Sequence, residues 1–188
     1  MKREELEILL KPEVREAIKI NLERDPLKVA LDKSVPHARE VATQVKYLQR
    51  ARKKLPTLFK AQAIIPDRGF EQSSSEESAA AKPLEGGTLL DLTCGLGIDT
   101  LHFSRRFKRV ISLERDTVLS DIVRENLRRM GIDNVEVITT SAEEYLDTCR
   151  EHFDWIYVDP DRRTEDGKRM VRLEDCSPNV IALRDKML

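Results

Sequence analysis

The stretch Leu89-Leu90-Asp91-Leu92-Thr93-Cys94-Gly95-Leu96-Gly97-Ile98-Asp99 decides the fold. Leu89 to Leu92 is a short apolar run ending beside a turn, the pattern of a strand buried on both faces. Cys94 to Gly97 is a glycine-rich turn. Glycines at 95 and 97 carry no Cβ, so the chain there can reverse tightly and approach a bound molecule. Asp99 to Phe107 reads as a helix. The alternation then repeats: a strand over Arg109–Glu114, a helix over Thr117–Met130 closed by Gly131, a strand over Val135–Thr139, a helix over Ala142–Thr148 and a strand over Phe153–Asp159. Ser177-Pro178-Asn179 opens one more helix. Four strands alternating with helices predict an α/β protein with a parallel sheet built from right-handed crossovers.

Upstream the pattern is helical. Val14, Ile18 and Leu22 recur at helical spacing, and Pro12 and Pro36 sit where a first turn tolerates proline. Pro26 and Pro56 punctuate. A long amphipathic helix is predicted over His37–Leu55, with Val41, Val45, Leu48 and Ala51 on its apolar face. Ala61–Ile65 reads as a short strand and Pro66–Phe70 as a turn. The polar run Glu71–Ser78 reads as a linker or a helix cap. Two units are expected: a helical domain over 1–66 and an α/β domain over 67–188.

Composition narrows the class. Charged residues make up 36% and hydrophobic residues 40%, which suits a globular chain and not a disordered one. No apolar run approaches the roughly 20 residues that span a bilayer, and the charged N-terminus lacks a signal-peptide core. Cys94, Cys149 and Cys176 are odd in number and far apart, which argues against a disulfide framework or a zinc site and fits a reducing cytoplasm. His37, His102 and His152 are scattered, and no metal is expected. Residues 1–60 hold 15 Lys/Arg against 9 Asp/Glu, and no acid lies between Val41 and Pro66. Lys46, Arg50, Arg52, Lys53 and Lys54 fall in that stretch. They form a candidate nucleic-acid face; the plain alternative is a solvated helix face.

The chemistry belongs at the carboxyl ends of the strands, where open α/β sheets bind ligands. Asp91 lies four residues before Gly95, and Glu114 ends the second strand. A carboxylate at Glu114 can accept both hydroxyls of a ribose. A dinucleotide fingerprint would place a third glycine at position 100, which is Thr100 here. Asp159-Pro160 ends strand four. The combination resembles motifs I, II and IV of class I S-adenosylmethionine-dependent methyltransferases. More narrowly, Glu71–Glu76, Asp91–Asp99 and Val158–Arg163 are similar to the bacterial methyltransferase family that carries a THUMP-like C-terminal domain, and Ala51–Pro56 fits its N-terminal helical region.

The resemblance implies a Rossmann-like parallel sheet of order 3-2-1-4 behind an N-terminal helical segment. The family's chains continue well beyond Leu188, so the sheet is expected to be truncated, with strand four an exposed apolar edge that invites self-association. S-adenosyl-L-methionine is the expected cofactor. Gly95 and Gly97 would let the backbone meet its methionine end, with Thr93 in the same turn. Asp91 and Asp99 would meet its α-ammonium; for Asp99 the alternative is a helix N-cap. Glu114 would take the ribose hydroxyls, Arg115 and Asp116 would flank the adenine, and Ser141 would serve its amino group. Glu71, Gln72 or Ser75 would reach over the cofactor. Asp159 and Pro160 would serve the acceptor, with Asp159 orienting the nucleophile or taking its proton. Arg162 and Arg163 would clamp a phosphate or carboxylate, or else pair with Asp161 or Glu165. Three functions remain open: an RNA methyltransferase, a small-molecule methyltransferase, and a non-catalytic cofactor-binding or interaction module.

Overall fold

Seven helices precede the first strand in the computed structural model, which describes residues 1–161 and 172–187. They are α1 (Arg3–Leu10), α2 (Pro12–Ile20), α3 (Pro26–Leu31), α4 (Ala38–Lys54), α5 (Pro56–Lys60), α6 (Asp67–Gln72) and α7 (Glu76–Ala80). Then follow β1 (Gly86–Asp91), α8 (Ile98–Phe103), β2 (Phe107–Leu113), α9 (Thr117–Arg129), β3 (Val135–Ile138), α10 (Ala142–Thr148), β4 (Trp155–Tyr157) and α11 (Val180–Met187). The sheet is parallel throughout, in the order β3-β2-β1-β4, as expected.

β1 is central, and its apolar residues are buried on both faces. Leu90 packs with Ile111, Leu113, Ala142, Leu146 and Leu183. Leu89 points the other way, to Phe103, Phe107 and Val110. That two-sided burial explains why β1 reads as a continuous apolar run instead of an alternating one. Among the described residues no helix is long and apolar enough to cross a membrane.

The long helix falls where periodicity places it, with Val41, Val45, Leu48 and Ala51 all buried. Prolines at 12, 26 and 56 each occupy a first helical turn. Two local expectations are corrected. Pro66–Phe70 is not a turn: Pro66 sits at the N-cap of α6. Ala61–Ile65 is not a strand. Its buried backbone is met by side chains instead of a neighbouring strand. Gln44 of α4 accepts from the Ile65 N–H (3.0 Å) and donates to the Ile65 carbonyl (3.1 Å). Asn126 of α9 does the same for Ile64, at 2.8 and 2.9 Å.

This stitching joins the helices to the α/β part. One hydrophobic cluster runs from Leu6 and Leu9 through Val45 and Leu58 to Leu96, Leu101 and Ile122. Packing is therefore continuous across the expected 66/67 division.

α9 also carries a partly desolvated ion cluster. Glu125 accepts from Arg128 and from Arg129, each at 2.8 Å. The Arg129 side chain is only 7% exposed and donates to the Gln62 carbonyl at 2.6 Å. The two guanidinium groups hold the Glu125 carboxyl down at about 2. Because the folded value is depressed, this contribution is present above the ordinary value of 4.5 and is lost as pH falls toward about 2. Glu125→Gln should destabilise the fold by about 2–4 kcal/mol at neutral pH, since it leaves Arg129 buried without its anion. Urea denaturation across pH checks this: the difference from wild type should narrow below pH 4.5, and a pH-independent difference would refute the ion-pair origin.

Candidate active site

A cleft of about 520 Å³ opens at the carboxyl ends of the strands. One wall is α6 and the segment after it. The other is made by the loops that follow β1, β2, β3 and β4.

Asp91 ends β1 with no solvent exposure. Its carboxylate accepts from the Thr93 N–H (3.0 Å), the Thr100 hydroxyl (2.7 Å) and the Ser112 hydroxyl (2.9 Å). Burial pushes its carboxyl up, and these bonds pull it back. Asp91 is not among the residues lining the cleft; its bonds organise the turn, and the expected contact with a ligand ammonium, directly or through water, belongs to the proposed function. Thr100 explains the missing third glycine. A side chain is needed there, because its hydroxyl ties the start of α8 to Asp91.

The two glycines of the turn divide their roles. Gly95 has φ +56° with open space where a Cβ would stand, and it lines the cleft. Gly97 has φ +78°, and a Cβ there would come within 2.9 Å of Val123 Cγ1. Gly97 does not line the cleft. What the structure shows for Gly97 is close packing of α8 against α9, which only glycine permits.

Glu114 follows β2 and faces the cleft. One carboxylate oxygen accepts from the Gly95 N–H (3.0 Å) and the other from the Asp116 N–H (2.8 Å). Partial burial pushes its carboxyl up despite those two bonds. Asp116 itself caps α9, accepting from the Val118 and Leu119 N–H groups.

The remaining loops close the site. The Thr93 hydroxyl accepts from the Asp159 N–H at 2.8 Å, tying the β1 turn to the end of β4. Asp159 is exposed, Pro160 is buried, and both line the cleft. Arg115 donates to the Ser177 hydroxyl (3.0 Å), and Asp161 and Ser177 form a two-residue antiparallel bridge. Gln72 reaches across to Asp161 at 3.4 Å. Ser141 caps α10 in a reciprocal box with Glu144 while lining the cleft. Ser75, by contrast, caps α7 and accepts from the Ser78 N–H (3.1 Å). Arg162 and Arg163 lie outside the described residues.

Asp99 is the second residue of α8, and Gly97 is the N-cap, so the capping alternative for Asp99 is set aside. Asp99 is among the residues lining the cleft, and its carboxylate already holds two partners, the Lys82 ammonium and the Tyr157 hydroxyl (3.2 Å). Lys82 was not legible as a site residue. It stands after three alanines and before a proline, with no motif around it. The cleft is lined by seven carboxylates and two arginines.

The chain belongs to the family described as Conserved hypothetical protein 95, whose model matches residues 70–175. It is 31% identical over 100 residues to a ribosomal RNA small subunit methyltransferase J of Francisella philomiragia, covering 46% of this chain and 42% of that one. It is 31% identical over 124 residues to a tRNA/tmRNA (uracil-C(5))-methyltransferase of Nitratiruptor sp., covering 54% of this chain and 34% of the relative. A crystal structure from Porphyromonas gingivalis W83, of a protein assigned as a methyltransferase, superposes with a TM-score of 0.79 at 30% identity. That match covers 97% of this chain and 46% of the other. The chain thus spans under half the length of these relatives.

Thr100→Val keeps the shape at the turn and removes one donor to a buried anion. It should cost about 2–3 kcal/mol of stability, measured by chemical denaturation. An unchanged unfolding midpoint would show that the turn does not depend on this hydroxyl.

Proposed function

We propose that the chain binds S-adenosyl-L-methionine and forms the cofactor-binding part of a methyltransferase that acts on RNA. The observation that carries this reading is the pairing of Glu114 with Gly95 inside an acid-lined cleft. The residues suit the cofactor. Gly95 leaves room for close backbone approach, and Glu114 keeps lone pairs for a ribose diol. Seven carboxylates favour a ligand bearing a sulfonium and an ammonium, and they disfavour the diphosphate of a dinucleotide.

When bound, the cofactor supplies an electrophilic methyl group. The chain supplies position and electrostatics. Glu114 takes the ribose hydroxyls. Asp99 and Asp91 meet the α-ammonium, directly or through water. Arg115, Asp116 and Ser141 surround the adenine. Gln72, held to Asp161, covers the cofactor from α6. Asp159 stands at the exposed end of the cleft, where it orients the acceptor atom or takes its proton, with Pro160 shaping the turn. Arg162 holds an acceptor phosphate.

RNA as substrate is supported by the names of the relatives and by the basic stretch of α4. Three of those cations already hold polar contacts within the chain, and Lys46 lies over the Tyr47 ring at 5.4 Å. Arg50 pairs with Glu71 at 2.6 Å, Arg52 pairs with Glu23, and Lys54 donates to the Phe70 carbonyl at 2.6 Å. Phosphate contact therefore falls first to Lys46 and Lys53, both exposed. A THUMP-like partner domain and a cytoplasmic location belong to the same reading. So does self-association through β4, whose Trp155 is 44% exposed.

Calorimetric titration tests the core of the proposal. S-adenosylmethionine and S-adenosylhomocysteine should bind saturably, NAD should not, and Glu114→Ala should weaken binding by about tenfold or more. The raised Glu114 carboxyl sets the pH dependence: affinity should begin to fall, as pH drops, above the range expected for an ordinary glutamate. Binding of NAD, or sulfur-nucleoside binding untouched by Glu114→Ala, would overturn the assignment. RNA affinity that declines steeply with salt and weakens in Lys46→Glu/Lys53→Glu would support the substrate class. Turnover of small acceptors without RNA binding would point to the small-molecule alternative.

A further inference from the structure

Lys82 does not line the cleft but reaches Asp99, which does. Its main chain is pinned between α7 and β1, where the Arg106 guanidinium donates to the Lys82 carbonyl and to the Ala80 carbonyl (2.7 Å). From that anchor the side chain passes over the Tyr157 ring, with Nζ 5.0 Å from the centroid, and ends on Asp99 Oδ1. The Tyr157 hydroxyl donates to Asp99 Oδ2 at 3.2 Å. Tyr157 is itself held edge-on by Phe103, 4.9 Å between centroids. The Lys82 and Asp99 side chains are 25% and 14% exposed, so the pair is shielded more than a surface bridge is.

We propose that Lys82 is a positioning residue for the amino-acid end of the cofactor, acting with Tyr157 to hold the Asp99 carboxylate in the cleft wall where it receives the ligand's α-ammonium. This rests on the S-adenosylmethionine reading of the site. The physical reason is local charge. Asp99 interacts unfavourably with the buried Asp91, and Asp91, Asp99 and Asp159 together act on the Tyr157 hydroxyl. Without Lys82, Asp99 would be one of several crowded carboxylates and would turn away from its place. With Lys82 and Tyr157 on its two oxygens it stays fixed. A carboxylate has about four acceptor sites. Lys82 and Tyr157 occupy one on each oxygen, and a lone pair remains for a cation in the cleft.

The test separates positioning from mere support of the fold. Titrations on the full 188-residue chain would compare S-adenosylhomocysteine with 5′-methylthioadenosine, which shares the adenosine and the sulfur but lacks the amino-acid end. Lys82→Met should weaken S-adenosylhomocysteine about tenfold or more and leave methylthioadenosine unchanged. Lys82→Arg should restore most of the affinity. Tyr157→Phe keeps the ring packing and serves where Lys82→Met fails to fold; it should weaken only S-adenosylhomocysteine, about twofold to fivefold. Equal weakening of both ligands would reduce Lys82 to a structural prop, and no change in either would remove its role; each overturns the proposal. Wild-type chain that binds neither ligand would instead strike down the cofactor reading, and this proposal with it.

Discussion

Asp91 is a carboxylate with no contact with water at the end of the central strand, and the geometry of the site descends from how it is satisfied. A buried charge is tolerated only when hydrogen bonds replace its hydration. Three donors do so, and each comes from a different piece of chain: the Thr93 backbone, Thr100 at the start of α8, and Ser112 on β2. To bring Thr93 and Thr100 to one carboxylate, the chain between them must fold back within seven residues. That reversal demands positive φ at residues 95 and 97, hence two glycines. It also brings the Gly95 N–H onto Glu114. The cleft is thus shaped around a buried carboxylate that is not itself part of its lining.

The helical segment solves a second problem. α6 forms one wall of the cleft but is only six residues long, too short to be stable alone. α4 holds it. Phe70 packs against Tyr47 at 5.6 Å between centroids, Arg50 lies over both rings and pairs with Glu71, and Lys54 binds the Phe70 carbonyl. Glu76 secures the next helix by accepting from the Thr57 N–H and hydroxyl, at 2.8 and 2.6 Å. Part of the basic run that reads as a nucleic-acid face is therefore structural, clamping the wall of the site.

What was legible in the sequence were features encoded in local spacing. The apolar runs of β1 and β2, the period of α4 and Pro12 in a first helical turn all depend on neighbours in the chain, and those elements fall where expected, whereas Pro36, also expected in a first turn, lies in the turn before α4. So does the cleft's placement, since glycine turns and strand-end acids mark it. Features that depend on distant partners were not legible. Ile64 and Ile65 look like a strand because they are apolar and β-branched, yet Gln44 and Asn126 satisfy them. Asp91 looks like a ligand residue because it precedes the glycines; only the tertiary positions of Thr100 and Ser112 show it to be buried. β4 is only three residues long, and just before it Asp154 accepts from the Gly87 and Thr88 N–H groups, at 2.7 and 2.8 Å, a tertiary contact that local spacing does not reveal.

The distribution of charge connects these layers. A methyl donor bearing a sulfonium needs a negative cleft, whereas an RNA acceptor needs positive surface, and the two demands conflict if the fields overlap. In the proposed reading α6 lies between the two. The carboxylates of the cleft face the space proposed for the cofactor. Glu71, itself one of those carboxylates, meets Arg50 and lies close to Lys46 and Lys54, so the basic field of α4 is partly neutralised where it borders the cleft. Lys46 and Lys53 remain exposed beyond that border. With screening over about 8–10 Å in physiological salt, a polyanion on α4 and a cation in the cleft can each meet a field of the right sign. The Arg50–Glu71 pair then does two jobs at once: it fixes the wall mechanically, and it marks the electrostatic boundary between the two surfaces.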